Sequence, residues 1–146
     1  MAEIRKMQEC DREVVMGMMR GFYASPCVYT NGSEEIFKAD FDECVSNSPY
    51  LEGYVFEDEG KIIGYGMLAK SFSTEFGREC IWIEDLFISE DYRGLGIGSS
   101  FFKFTEESYQ GVIFRLEVEE ENLRARAAYE KNGFDYLPYL EMKKIK

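Results

Sequence analysis

The segment Tyr92-Arg93-Gly94-Leu95-Gly96-Ile97-Gly98-Ser99 carries the strongest chemical signal in the chain. It follows an apolar, strand-like run and opens a helical pattern. Glycines let the main chain come close to a ligand and adopt positive φ. The free N–H groups of a helix start point outward and favour an anion. A pyrophosphate suits such a loop. Two other glycine motifs do not fit. A P-loop ends in Gly-Lys-Ser/Thr, whereas Gly98 is followed by Ser99 and Ser100. A dinucleotide fingerprint needs G-x-G-x-x-G, but the third glycine falls on Ser99 or on Phe101. Glu117 mimics the ribose-binding acid of that fingerprint, yet too little chain follows for a dinucleotide domain.

Acid–base groups lie on either side of this loop in sequence. The chain has no histidine, so a general base must be a carboxylate, Tyr, Lys, Cys or a water. Glu84 sits inside an otherwise apolar strand, where burial raises a carboxyl pKa. The plain alternative is a strand carboxylate facing solvent or paired with a basic residue. Strict alternation sends Asp85 to the opposite face, so the two acids are not expected to act as one site. Tyr129 lies seven residues after Asn122, two helical turns on and on the same side. Its phenol can donate a proton, or the ring can simply pack on a sheet. Cys10, Cys27, Cys44 and Cys80 form no CxxC pair. Without histidine, no metal site is expected, and the four read as reduced thiols.

The elements that must position these groups follow from the apolar pattern. Glu3 to Met7 reads as a strand. Asp11 is placed to cap a helix carrying Val14, Val15, Met18, Met19 and Phe22. Tyr23 to Gly32 is a loop. Ser33 caps a second helix with Ile36, Phe37, Phe41 and Val45, which ends at Asn47 to Pro49. Tyr54 to Glu57 and Ile62 to Ala69 flank the turn Asp58-Glu59-Gly60-Lys61 as a hairpin. Glu79 to Ile88 is a further strand. Ile97, Phe101, Phe104 and Ser108 share a helical face after the glycine loop. Val112 to Val118 is a strand, and Asn122 caps a helix that stops at Asn132-Gly133. Phe134 to Leu137 and Tyr139 to Lys144 read as closing strands around Pro138. The fold class is α+β, a single domain over residues 1–146 with a mixed, mostly antiparallel sheet.

Composition narrows the partners. At 146 residues, 45% hydrophobic and rich in Phe and Tyr, the chain can bury one real core. No apolar run approaches the ~20 residues that span a bilayer, and the first residues lack an apolar signal core. A cytoplasmic protein with no membrane partner is expected. The net charge of −11 disfavours nucleic acid and attracts cations.

Arg93 to Gly98 matches R-x-x-G-x-G, the pyrophosphate loop of the GCN5-related N-acetyltransferase (GNAT) family. Ile83-Glu84-Asp85-Leu86-Phe87-Ile88 with Asp91 to Ser99 resembles that family's central strand and CoA loop. Asn122, Tyr129 and Gly133-Phe134 resemble its second motif. The Glu-Asp pair ahead of Tyr-Arg-Gly-x-Gly-Ile-Gly-Ser is similar to the di- and polyamine acetyltransferase branch. The resemblance covers most of the chain, and Ile83 to Phe134 is its specific part.

The resemblance implies a GNAT-like fold of about seven strands and about four helices, with acetyl-CoA as co-substrate and no metal. It implies Tyr129 as the acid that protonates the departing thiolate and Glu84 as the acid that meets the substrate amine, and its apolar strand makes Glu84 the candidate base, directly or through a water. Backbone at Leu86, Phe87 and Ile88 is expected to hold the pantetheine arm. Gly94, Leu95, Gly96, Ile97, Gly98 and Ser99 are expected to cradle the pyrophosphate. Arg93 either pairs with phosphate or shapes the turn. Asn122 either bonds the pantetheine or only caps its helix. Glu84, Glu117 and Tyr29 are the substrate-side candidates, with Tyr23 and Phe22 near them. The acceptor is a small cationic amine such as a polyamine, or a protein amine. A non-catalytic CoA-binding module is the reading from another class. A homodimer is expected by analogy with similar proteins.

Overall fold

A computed structural model describes residues 2–146, so Met1 lies outside the described residues. In chain order the elements are β1 (Glu3–Lys6), α1 (Arg12–Tyr23), α2 (Glu34–Val45), β2 (Leu51–Asp58) and β3 (Lys61–Ser73). They continue with β4 (Arg78–Ile88), α3 (Ile97–Ser108), β5 (Ile113–Leu116) and α4 (Leu123–Lys131). The strands form one five-stranded sheet in the order β1-β2-β3-β4-β5. Neighbours from β1 to β4 are antiparallel, and β5 lies parallel to β4.

Two apolar clusters cover the two faces of this sheet. Val15, Met19, Phe37 and Phe41 from α1 and α2 pack on Val55, Tyr65 and Met67. On the opposite face, Phe101 and Phe102 of α3 pack on Tyr54, Phe56, Leu68, Ile81 and Ile83. The central strands are therefore buried on both sides, and Tyr54 to Phe56 and Ile63 to Leu68 are buried without a break. Tight contact with α3 depends on a missing side chain, because a Cβ on Gly66 would stand 2.6 Å from the Phe101 ring.

The helix starts behave unequally. The Ser33 hydroxyl caps α2, accepting the Ile36 N–H at 3.2 Å. Asn122 caps α4 in the same way, accepting the Ala125 N–H at 3.2 Å. Asp11 does not cap α1. Its buried carboxylate instead accepts from the two terminal Arg5 nitrogens, Nη1 and Nη2, at 2.9 and 3.0 Å, and from the Gln8 N–H at 2.8 Å. A bidentate arginine is the stronger partner, and it ties β1 to the entry of α1.

Five strands form, not about seven. The two closing strands expected at Phe134–Leu137 and Tyr139–Lys144 are absent. Pro138 donates no N–H, and no backbone hydrogen bond joins residues 135–146 to the sheet among the described residues. Side chains hold the segment instead. Arg126 donates to the Tyr136 hydroxyl at 2.8 Å, and the Tyr139 hydroxyl meets Glu75. Its apolar residues stay out, with Leu140 and Met142 almost wholly exposed.

Candidate active site

The site begins where two parallel strands part. β5 pairs with β4 only from Cys80↔Ile113 to Ile83↔Leu116. β4 then runs on to Ile88 while β5 has ended. Beyond Ile83, the β5-facing edge of β4 therefore carries no strand partner. The main chain of Leu86, Phe87 and Ile88 lies along this open edge.

A bulge sits at the parting point. On the β3 side Met67 pairs with Asp85 and Leu68 with Ile83, so Glu84 is the extra residue. One extra residue shifts the phase of the side chains that follow. Ile81 and Ile83 point into the α3-side core, and so do Leu86 and Ile88. Phe87 turns to the α1–α2 side. Asp85 does the same, meeting Tyr23 of α1 and Tyr65 of that core. The strict alternation behind the expected opposite faces of Glu84 and Asp85 is thus broken at this point. The bulge turns Asp85 toward α1 and α2, and the Glu84 charge acts on Tyr23 and Asp40 there as well as on Glu117 beyond β5.

Three carboxyls gather there. Asp85 is 4% exposed, and its two oxygens accept the Tyr23 and Tyr65 hydroxyls, each at 2.9 Å. Burial raises its pKa, and the two phenols oppose that rise. Glu84 reaches solvent, but the surrounding protein raises its pKa, and Asp85 and then Glu141 add to the rise. Asp40 of α2 is pushed up to about 6 by burial, with Asp85 and Glu84 contributing. A carboxyl in partly dry, like-charged surroundings holds its proton more tightly, and a cation relieves the repulsion. Asp40 was not singled out in the sequence, although a signal was there. It shares the helical face of Phe37, Phe41 and Cys44, an acid on an apolar stripe.

Glu117 stands one residue past β5 and is exposed. A hydrogen bond with Glu141 raises its pKa to about 7, helped by burial and by the charges of Glu141 and Glu84. Glu141 was not anticipated. Tyr29 is 85% exposed at the loop surface. Phe22 and Tyr23 are half-buried, with rings 5.4 Å apart in an edge contact.

The glycine loop closes the other end of β4. Gly94 and Gly96 take φ values of 78° and 84°, and a Cβ at either would meet nothing within 4 Å. The backbone there demands glycine, and the space in front of it is open. α3 starts at Ile97 with no side-chain cap, so the N–H groups of Ile97, Gly98 and Ser99 are left to an external acceptor. Leu95 is exposed. The Arg93 Nε donates to the Ile88 carbonyl at 2.8 Å, which binds the loop to the strand end. Asn132 donates to the Ser99 hydroxyl at 3.1 Å and joins the end of α4 to the start of α3. An uncapped helix start, two open glycines and an unpaired strand edge together fit a pyrophosphate with an extended amide-bearing arm.

Tyr129 lies on α4, half-buried, with its ring 5.9 Å from Phe102 and 6.1 Å from Phe134 in edge contacts. Its hydroxyl bonds to no other described residue. Burial raises its pKa, with Cys27 adding to the rise. The phenol therefore keeps its proton near neutral pH. Asn122, besides its cap, donates through Nδ2 to Cys27 Sγ at 3.5 Å. Cys27 was read only as a thiol, but the 24–33 loop carries it to Asn122 and Tyr129. A cleft of about 880 Å³ runs along β5 toward the C-terminal segment and shares Glu117, Tyr129 and Glu141 with the site, with Trp82, Leu116 and Phe134 among its other lining residues. None of residues 84–99 lines it.

Comparison with known proteins agrees with this geometry. Thialysine N-epsilon-acetyltransferase of Sus scrofa is 32% identical over 144 residues, covering 89% of this chain and 82% of that one. The Bos taurus protein of the same name is 39% identical over 75 residues, which span 49% of this chain and 44% of its own length. Spermine/spermidine N(1)-acetyltransferase of Bacillus subtilis (strain 168) is 26% identical over 110 residues, covering 71% and 70%. In three dimensions, a possible acetyltransferase from Clostridium difficile 630 superposes with a TM-score of 0.83 over 99% of this chain and 97% of that one, at 17% identity. Residues 16–134, which run from α1 past the glycine loop to the end of α4, match the family described as Acetyltransferase (GNAT) family. Fold, sequence and the parted strands converge, and the chain belongs to the GNAT acetyltransferase family.

Proposed function

We propose that residues 1–146 act as one N-acetyltransferase domain that moves an acetyl group from acetyl-CoA to a primary amine of a small cationic molecule, such as a polyamine. The observation that carries this reading is the bulge at Glu84. It turns Asp85 to the side of Asp40 and leaves Glu84 beside the open edge of β4, where its charge acts on Asp40. The names of the relatives point the same way, since they act on thialysine, spermine and spermidine.

Bound acetyl-CoA supplies the activated thioester. The main-chain N–H groups from Gly94 to Ser99 hold its pyrophosphate, and the edge at Leu86, Phe87 and Ile88 holds its arm. Arg93 shapes the turn through Ile88. Asn122 caps α4 and steadies the loop at Cys27. An alkyl ammonium has a pKa of about 10 and must lose a proton before it attacks. Glu84 takes that proton, directly or through a water, because its raised pKa makes it a better base than an ordinary carboxylate. Tyr129 gives its phenolic proton to the departing sulfur and recovers one from solvent. Glu117 and Tyr29 stand farther out and receive the rest of the acceptor.

The test is thiol release from acetyl-CoA with purified protein and a panel of spermidine, putrescine, amino acids and aminoglycosides. Turnover with a polycation is expected. Intact acetyl-CoA binding with no turnover of any small amine overturns the small-amine reading.

The same proposal places the chain in the cytoplasm, where its four free cysteines stay reduced. No helix among the described residues is long and apolar enough to cross a membrane. It also includes a homodimer. The outer edge of β5 pairs with no strand among the described residues, and Leu140, Met142 and Ile145 stand exposed on the C-terminal segment. Light scattering is expected to give twice the monomer mass, and a monomer at micromolar concentration overturns this part.

A further inference from the structure

We propose that Tyr23, Asp85 and Tyr65 form a positioning device, in which Asp85 moors the base of the 24–33 loop to β4 beside Glu84 and so sets where the acceptor amine is received. This rests on the amine-acceptor reading above. In that reading Asp85 touches neither substrate nor reacting atoms, and each of its oxygens already accepts a phenolic O–H.

The geometry is specific. Each Asp85 oxygen accepts one phenolic O–H, at 2.9 Å. The two phenols come from different elements. Tyr65 belongs to β3 and is wholly buried, so it fixes the carboxylate within the sheet. Tyr23 is the last residue of α1, and the loop leaves from it. The far end of the loop returns to the same place. The Tyr23 and Phe37 rings lie 5.4 Å apart, and Gly32 is packed against both. The loop is thus held at both ends by Tyr23, and Tyr23 is held by Asp85. The tip of the same loop brings Cys27 to Asn122. A buried charged hydrogen bond is costly to lose, because the remaining group is left unsatisfied.

A mooring that carries charge has a second effect, on protonation. Glu84 shares its electrostatic surroundings with Asp85 on its own strand, Asp40 from α2 and Tyr23 from α1, while Cys44 of α2 and Tyr65 of β3 adjoin Asp85. Glu117 beyond β5 and Glu141 in the C-terminal segment complete the set. The Asp85 charge makes Glu84 and Asp40 hold protons more tightly. Removing it moves the acid limb of kcat/KM for the amine to lower pH.

The experiment compares the full chain with Asp85→Asn, Tyr23→Phe and Tyr65→Phe by amide hydrogen exchange and by steady-state kinetics. Tyr23→Phe is expected to raise exchange across residues 24–33 about tenfold and leave residues 93–100 unchanged. The KM for the amine rises about fivefold, and that for acetyl-CoA stays within about twofold. Asp85→Asn shows the same selective exchange and shifts the acid limb downward, whereas Tyr65→Phe loosens the loop less than Tyr23→Phe. Uniform exchange in both loops, no change in either, or an unmoved acid limb in Asp85→Asn overturns the proposal. Should Asp85→Asn fail to fold, Tyr23→Phe decides by exchange alone. If the unaltered protein acetylates no amine, the function reading falls, and the exchange pattern still upholds or overturns the mooring.

Discussion

The two ends of β4 are built from different materials. The glycine-loop end is made of main chain, with free N–H groups at the start of α3, two open glycines and a strand edge without a partner. The bulge end is made of side chains, with Glu84, Asp85 and Asp40 drawn from β4 and α2 and two phenols drawn from α1 and β3. Main-chain groups recognise what every bound cofactor of one kind shares. Side-chain groups select an acceptor, and they are also the groups that titrate. Substitutions at the two ends should therefore fail in different ways, in affinity for acetyl-CoA at one and in turnover at the other.

The largest effect is expected from Glu84→Gln. The amide keeps the shape and removes the base, so kcat should fall by about 10²–10³-fold, within the usual range for a general base. Acetyl-CoA affinity, read by calorimetry, should stay within about twofold. A fall below tenfold sinks the assignment of Glu84 as base. Tyr129→Phe comes next, at about 10²-fold in kcat. Its hydroxyl bonds to no other described residue, so the ring contacts with Phe102 and Phe134 survive and Tm should move little. If Tm drops by many degrees while kcat holds, Tyr129 is a packing residue only.

How far the sequence reaches divides along the same line. The glycine loop was legible because its chemistry requires a residue type that nothing else replaces. Gly94 and Gly96 must take positive φ, and that requirement is written in the letters. The caps at Ser33 and Asn122 were legible for a similar local reason. The bulge was not. It depends on how β3 and β4 align over ten paired positions, and alternation alone does not foresee it. Asp11 was misread because its better partner, Arg5, sits on another element. The closing strands were misread because apolar residues around Pro138 look like strands, yet Pro138 donates no N–H and no backbone hydrogen bond ties residues 135–146 to the sheet among the described residues. Local rules reached the half of the site made of backbone. The half made of side chains needed the register.

A substitution at the loop tests whether the two ends are separable. Gly96→Ala places a Cβ on a residue at φ 84°, at a cost of about 1–2 kcal/mol in backbone strain. Nothing lies within 4 Å of that Cβ, so the fold should tolerate it. The cost should appear in the loop, as a roughly tenfold rise in the Kd for acetyl-CoA. At saturating acetyl-CoA, kcat should stay within about threefold. A kcat that collapses under saturation would show that the loop also positions the chemistry, and the comparison would lose its force.

The smallest effect concerns pH and the outermost carboxyls. Glu117 has its pKa raised to about 7 by Glu141, from 4.5. In the folded chain it keeps a proton that the unfolded chain has already released between those values. The folded state then binds more protons than the unfolded one, so this pair makes stability fall as pH rises from about 4.5 through 7. Below the lower value both states are protonated, and the pair contributes no slope. Glu117→Gln cannot release a proton, so it should flatten that part of the curve and raise Tm above pH 7. The site is exposed, and solvent screening reduces the gain to roughly 0.5 kcal/mol, or about 1–2 °C. Thermal melts at pH 5 and pH 8 read the difference, with the variants matching at the lower pH and separating at the higher. Equal separation at both values would mean that the two carboxyls share no proton. The side-chain end of the site would then have its titrating groups confined to Glu84, Asp85 and Asp40.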